Sequence, residues 1–301
     1  MLKFYSPGKL LITSEYLVLN GAQAFALPTQ KGQLMLVTPL EEPVLKWKSF
    51  TNTKKPWMDV RFELTNFDCI EANKTPVALI EKLSDILKYV RKLQPEFCST
   101  GYEVHNHLEF DRSWGLGSSS TFINNLAKWA EINPYKILAK TLGGSGYDIA
   151  VARAKHPICF TKNDYNPLIE TIPFDPSFKD ELYFVHLNQK QDSQQEVASY
   201  YKRPLPSSDQ LTHVNQLTSR IIKATTLKTF NSYLLEHEKL IGSILDQTPI
   251  QQRLFADFEG QIKSLGAWGG DFILATGKNS PSYFKEKGYS TVLPYIDMIS
   301  K

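Results

Sequence analysis

The sequence predicts an α+β protein built as two domains, residues 1–175 and 176–301, and three features lead there. Up to about residue 175 the chain is rich in short apolar runs broken by turns, with few helical stretches. Beyond that point helical spacing dominates through residue 264, before strands return. Three glycine-rich turns punctuate the pattern, and two of them run directly into segments of helical spacing. With 301 residues the chain is long enough for two cores facing a cleft.

Taken in order, residues 2–5 read as a strand, Ser6–Lys9 as a tight turn, and Leu10–Ile12 as a second apolar run. Asn20–Gly21 signals another turn, and residues 24–28 are small and apolar, as buried backbone requires. Strands follow at 33–38, 44–48 and 57–64, and the helix at 76–93 carries Leu79, Leu83, Ile86, Val90 and Leu93 on one face. Residues 102–110 form a strand in which alternation puts His105 and His107 on one face. Glu103 and Glu109 share that face and no third ligand is near, so it reads as a solvated sheet surface. Helices at 134–141 and after Gly146, and strands at 158–161, 168–172 and 181–187, complete the first part of the pattern. Helical spacing then covers 196–203, 208–224, 229–246 and 251–264, with Phe230, Leu234, Ile241 and Ile244 or Leu245 in one stripe. A glycine turn followed by an apolar strand covers Leu265 to Ala275, and residues 281–295 read as a helix and a last strand.

Composition narrows the function. A net charge of +3 is too small to mark a nucleic-acid or membrane-surface protein. No apolar run approaches a membrane span. Three scattered cysteines, Cys69, Cys98 and Cys159, have no metal spacing and cannot all pair. With no signal-peptide core at Met1–Tyr5, they point to the cytoplasm.

The chemistry gathers at the glycine turns. Gly115-Leu116-Gly117-Ser118-Ser119-Ser120 opens a helix, and glycine-rich backbone with free N–H groups at a helix start is an anion site, above all for phosphate. It lacks the P-loop lysine and the third glycine of a dinucleotide fingerprint. Gly143-Gly144-Ser145-Gly146-Tyr147-Asp148 opens a second helix, and Asp148 fits two roles, a cap or a general base. Lys9 fits a surface lysine or a phosphate contact. The third turn is Leu265-Gly266-Ala267-Trp268-Gly269-Gly270-Asp271.

These stretches, with Pro7 to Gly21 ahead of them, resemble the ordered motifs of the GHMP kinases, and the resemblance covers almost the whole chain. It implies an N-terminal α+β domain with a left-handed βαβ crossover and a ferredoxin-like C-terminal domain. It also implies ATP with Mg²⁺, and transfer of the γ-phosphoryl group to a small-molecule acceptor. By position it makes Asp148 and Lys9 catalytic, and Gly115, Leu116, Gly117, Ser118, Ser119 and Ser120 the ATP-binding loop, with Ser119 on Mg²⁺. Glu15, Tyr16, Ser145, Gly146, Tyr147, Gly269 and Gly270 fall on substrate-side positions, and Lys190 lies where an acceptor anion would be met or where a solvated loop runs.

The resemblance leans towards phosphomevalonate and mevalonate kinases of isoprenoid precursor synthesis. Sugar or homoserine kinases, or a degenerate nucleotide-binding member, are the alternatives. The implied partner is an anionic, mevalonate-like small molecule, with the chain as monomer or homodimer. Two departures stand out: residues 134–142 carry no acidic Mg²⁺ ligand, and Trp268 interrupts the third turn.

Overall fold

The computed structural model describes residues 1–189, 193–268 and 270–300. Lys190 and Gly269 therefore lie outside the described residues. The chain divides into two units, one of Met1–Gly8, Lys31–Arg112 and Gly117–Gly143, the other of Lys9–Gln30, Ser113–Leu116 and Gly144–Lys301. Two long strands, β1 (Leu2–Leu11) and β2 (Ala24–Leu40), contribute to both.

The first unit adds β3 (Val44–Phe50), β4 (Pro56–Glu63), β5 (Cys69–Ala72), α1 (Val77–Leu93), β6 (Gly101–Leu108), α2 (Ser118–Trp129) and α3 (Pro134–Thr141). Its sheet order is β5-β4-β3-β6-β2, with β3 parallel to β6 and α1 in the crossover between them. Alternation buries Trp47, Val60, Phe62 and Val104 on the helix-covered face, where Trp47 meets Phe122 of α2 edge-on at 5.8 Å. On the opposite face His107 stacks on Phe50 at 4.7 Å and His105 meets Glu103 at 3.2 Å.

The second unit adds α4 (Tyr147–Arg153), β7 (Ile158–Thr161), β8 (Leu168–Thr171), β9 (Leu182–His186), α5 (Ser193–Tyr200), α6 (Ser208–Ile222), α7 (Leu227–Leu245) and α8 (Ile250–Leu254). After them come β10 (Ile262–Ser264), β11 (Phe272–Thr276), α9 (Ser280–Glu286), β12 (Val292–Pro294) and α10 (Tyr295–Met298). β7 pairs with β2 and β8 with β7. The other sheet runs β10-β11-β9-β12, antiparallel throughout, with helices after its first and third strands in sequence. That order and connectivity are ferredoxin-like, as the resemblance implied. The α7 stripe resolves in favour of Leu245, which is buried with Phe230, Leu234 and Ile241.

Two expectations need correction, and one strand was not expected. Ser6–Lys9 is no turn: β1 runs unbroken through Pro7 and Gly8. β1 pairs with β2 alone, and on such an edge the missing N–H of proline need not break the ladder. Residues 251–264 are not one helix, because α8 ends at Leu254 and β10 begins at Ile262. Phe255, Phe258 and Ile262 imitate a helical stripe, but they fill the core around Phe284, and Gly260 lies so close to the Thr276 carbonyl that a Cβ would sit 1.9 Å away. β5 was missed; its four residues are all exposed, so no apolar alternation marks it. Among the described residues no helix is long and apolar enough to cross a membrane.

Candidate active site

Lys9 and Leu11 share one face of β1, and that face meets α4. Leu11, Ala24, Ala26, Ile158 and Phe160 pack against Ala150 and Val151 of α4. The first turn of α4 is thereby held beside Lys9. Gly146 caps this helix in a left-handed conformation, and Tyr147 and Asp148 follow at its first two positions. Ser145 sits just ahead, its hydroxyl accepting from Tyr147 N at 3.4 Å.

Asp148 Oδ1 accepts the Ile149 N–H at 3.0 Å, so the residue does stabilise the helix start. Burial nevertheless pushes its carboxyl above the usual carboxylate range, and Lys9 and the Ile149 N–H pull it back only in part. Burial works against the charge on Lys9. Tyr147, which Lys9 hydrogen-bonds, outweighs that effect together with Asp271 and Asp148, leaving Lys9 above the ordinary lysine value. Burial likewise raises Tyr147, partly offset by Lys9. All four side chains belong to the second unit.

Asp271 was not singled out from the sequence. It lies at the head of β11 with φ +55°, a left-handed conformation uncommon outside glycine. Two main-chain bonds fix it: its N–H donates to Gln189 O at 2.7 Å, and its carbonyl accepts from Leu187 N at 2.8 Å. Its carboxylate rests on Gly115, where a Cβ would come within 2.3 Å of Asp271 Cγ. Gly115 must therefore be glycine twice over, since its φ is +65°. The next residue, the buried Leu116, accepts the Lys9 main-chain N–H at 3.0 Å. Ahead of the loop, the Ser113 carbonyl contacts His186 Nε2 at 3.2 Å, and Trp114 meets Phe272 edge-on at 5.5 Å.

The same loop continues into the first unit, where Gly117 at φ +84° is the N-cap of α2. No side chain caps this helix. Ser120 is buried and donates to Gly117 O at 2.9 Å, so its hydroxyl is spent internally. The half-buried Ser118 and the exposed Ser119 make no side-chain hydrogen bond to the described residues. A helix start with open N–H groups and two unused hydroxyls suits an anion accompanied by a cation. Among the described residues no group of three or more His, Cys, Asp or Glu side chains could hold a metal ion.

Glu15 and Tyr16 are placed elsewhere. Glu15 is fully buried and ion-paired to Lys263 of β10, which also meets Glu238 of α7 at 3.1 Å. Glu238 accepts from Ser264 N and Oγ, both at 3.1 Å. Ser14 N donates to His237 Nε2 at 3.0 Å, which makes that imidazole neutral and puts its proton on Nδ1. Burial, followed by the charge of Lys263, keeps His237 well below the ordinary histidine value. Tyr16 stacks on Tyr200 at 5.2 Å and donates to Ala267 O at 3.0 Å. Trp268 sits in the same core with Tyr16, Ile241 and Leu245, so it anchors the third turn instead of facing a ligand. Gly270, two positions after Trp268, is buried.

No protein-family model matches the sequence, and no curated protein does. Solved structures match in fold. A Lin0012 protein from Listeria innocua superposes with a TM-score of 0.72 at 18% identity, over 97% of this chain and 96% of that one. The phosphomevalonate kinase of Streptococcus pneumoniae, solved with phosphomevalonate and AMPPNP, gives 0.70 at 14% identity, over 97% and 99%. A mevalonate kinase gives 0.71 at 15% identity, over the whole of both chains.

Proposed function

We propose that this chain, which has the two-domain GHMP kinase fold, is an ATP-dependent kinase that phosphorylates phosphomevalonate, with mevalonate as the next acceptor to consider. The observation that carries the reading is the convergence of Lys9, Tyr147, Asp148 and Gly115 in one unit, drawn from three separate motifs. A phosphoryl-transfer enzyme needs little more than positioned charge and a residue to orient the nucleophile. The fold likeness to a kinase solved with phosphomevalonate and a nucleotide analogue supports the acceptor class.

In this reading the acceptor oxygen faces Asp148, whose carboxyl is raised by burial above the usual carboxylate range, the direction a general base needs. With mevalonate the hydroxyl proton passes to the Asp148 carboxylate as that oxygen bonds the γ-phosphorus and the bond to the ADP oxygen breaks; with phosphomevalonate the attacking phosphate oxygen is already largely ionised near neutral pH, and Asp148 takes whatever proton remains on it. Lys9 stabilises the charge that builds on the transferring group. The N–H groups from Gly115 to Ser120 hold the phosphates, and Ser119 would hold Mg²⁺, which when bound neutralises the phosphate oxygens. Tyr147 hydrogen-bonds Lys9 and limits its motion. Domain limits at 1–175 and 176–301 and a cytoplasmic location belong to the same proposal.

The test is a coupled ADP-release assay with phosphomevalonate, mevalonate, galactose and homoserine. ADP release dependent on phosphomevalonate is the expected result. Turnover with galactose or homoserine alone overturns the acceptor assignment. ATP binding without turnover of any acceptor leaves a nucleotide-binding protein and ends the kinase reading.

A further inference from the structure

We propose that Tyr16 is a positioning residue of this same site: its hydroxyl pins the third glycine turn and its ring pins α5, so that the turn brings Asp271 onto Gly115 in one fixed arrangement. The inference rests on the kinase reading above. The contacts are direct. Tyr16 Oη donates to Ala267 O at 3.0 Å, and the Glu196 carboxylate of α5 lies 3.5 Å from the same hydroxyl. The ring stacks on Tyr200 of α5 at 5.2 Å. Tyr200 Oη in turn donates to Asn20 Oδ1 at 2.6 Å, which closes the arrangement back onto the segment that carries Tyr16. Four positions beyond Ala267 (271 − 267) comes Asp271, whose carboxylate rests on the Gly115 backbone. All of these residues belong to the second unit.

Backbone strain marks the same place. Ser14 (φ +65°), Tyr16 (+60°), Asn188 (+57°), Trp268 (+58°) and Asp271 (+55°) are five of the twelve non-glycine residues with positive φ among those described. They fall in three short segments that hydrogen bonds tie together. Tyr16 reaches Ala267, Asp271 N donates to Gln189 O, and Leu187 N donates to Asp271 O. Such strain persists where the surroundings over-determine a conformation, and it collects at ligand clamps and active sites. Burial alone asks only that a phenol find some hydrogen-bond partner. The partner Tyr16 has is a carbonyl of the turn that leads to the glycine loop. Reacting groups must be held closely, since an ångström of misplacement costs about 10²-fold in rate.

Tyr16→Phe keeps the ring and its stack and removes only the hydroxyl. Two readouts apply. The first needs no substrate: amide hydrogen exchange resolved by residue. In Tyr16→Phe the amides of Gly266, Ala267 and Trp268 exchange about three- to tenfold faster, the worth of one hydrogen bond, while those of Ile273, Leu274 and Ala275 in β11 keep the parent rate. The second is steady-state kinetics beside thermal unfolding. Here kcat falls about tenfold, the KM for ATP stays near the parent, and Tm moves by no more than a few degrees. Unchanged exchange at the turn in folded Tyr16→Phe overturns the proposal. Exchange quickened equally in β11 makes Tyr16 a residue of general stability and overturns it too. A quickened turn with an unmoved kcat overturns the positioning role. A quickened turn in a protein that phosphorylates no acceptor upholds the pin and removes the kinase reading instead.

Discussion

Lys9 and Lys263 are each placed among two carboxylates, Asp148 and Asp271 for one, Glu15 and Glu238 for the other. In the first group Lys9, Tyr147 and Asp148 are half-buried and only Asp271 is buried, and the lysine ammonium lies over the Tyr147 ring at 5.7 Å. The second is sealed, with no side chain more than 1% exposed, and binds the segment after β1 to α7 and β10. Identical charges therefore serve opposite ends. Sealed charges cost several kcal/mol each to desolvate and hold only while every partner is present. Half-open charges can exchange a proton with a ligand and return. The difference lies in access to solvent, not in residue type.

That comparison can be broken by substitution. The largest effect is expected at Asp148. Asp148→Asn should lower kcat by about 10²–10⁴-fold while thermal unfolding and ATP calorimetry stay near the parent. Lys9→Met should also act mainly on kcat. Lys263→Met should do the reverse: two buried carboxylates lose their counter-charge, and urea unfolding should show a loss of about 3–5 kcal/mol. If Lys9→Met proves the more destabilising of the two, the division into working and structural lysines fails.

Next in size is a pH effect. Burial, only partly relieved by Lys263, pushes Glu15 up to about 7. An acid raised from about 4.5 to about 7 on folding binds more protons folded than unfolded in that window, so its contribution falls as pH rises through it, by no more than about 3 kcal/mol. His237, kept neutral by burial, acts in the opposite sense, because the unfolded imidazole takes up a proton below about 6.5. Glu15→Gln removes the falling part alone. Its stability should therefore climb more steeply between pH 5 and 7 than the parent's, and parallel curves would show that Glu15 is already ionised throughout.

Smaller effects concern ligands. Gly117→Val forces a branched side chain into φ +84° and should weaken ATP binding by about tenfold, the equivalent of the strain of one left-handed residue. An unaltered affinity in a folded variant would remove this loop from the nucleotide site. Lys190→Ala is expected to raise the acceptor KM several-fold, roughly 1 kcal/mol, and to leave the KM for ATP alone. Equal changes in both would return Lys190 to a solvated loop.

Much of this site was legible because it is local. Gly115–Ser120 and Gly146–Asp148 announce themselves by turn chemistry followed at once by a helix, and the structure places helices at Ser118 and Tyr147. Glu15 and Tyr16 were not legible. Their surroundings come from Lys263, His237 and Tyr200, more than 180 residues away, and nothing near Glu15 in sequence signals a sealed ion pair. Asp271 was in view beside Gly270, yet its importance depends on a contact with Gly115, 156 positions earlier (271 − 115). The strand β10 was hidden for a related reason: its apolar residue continues the spacing of α8, and only pairing with β11 distinguishes the two.

The clamp on Asp271 has an evolutionary consequence. Its main-chain N–H is tied to Gln189, one residue before Lys190, where acceptor preference is expected to be set. Mutations that retune that stretch for another acceptor would pull on the backbone of the carboxylate seated on Gly115 of the glycine loop. Specificity and turnover are then inherited together, and a change of acceptor carries a penalty in rate until a second mutation restores the aspartate. Selection experiments for a new acceptor should recover paired substitutions, one near Gln189 and one around Asp271. Single changes that switch acceptor at full kcat would show the two traits to be separable.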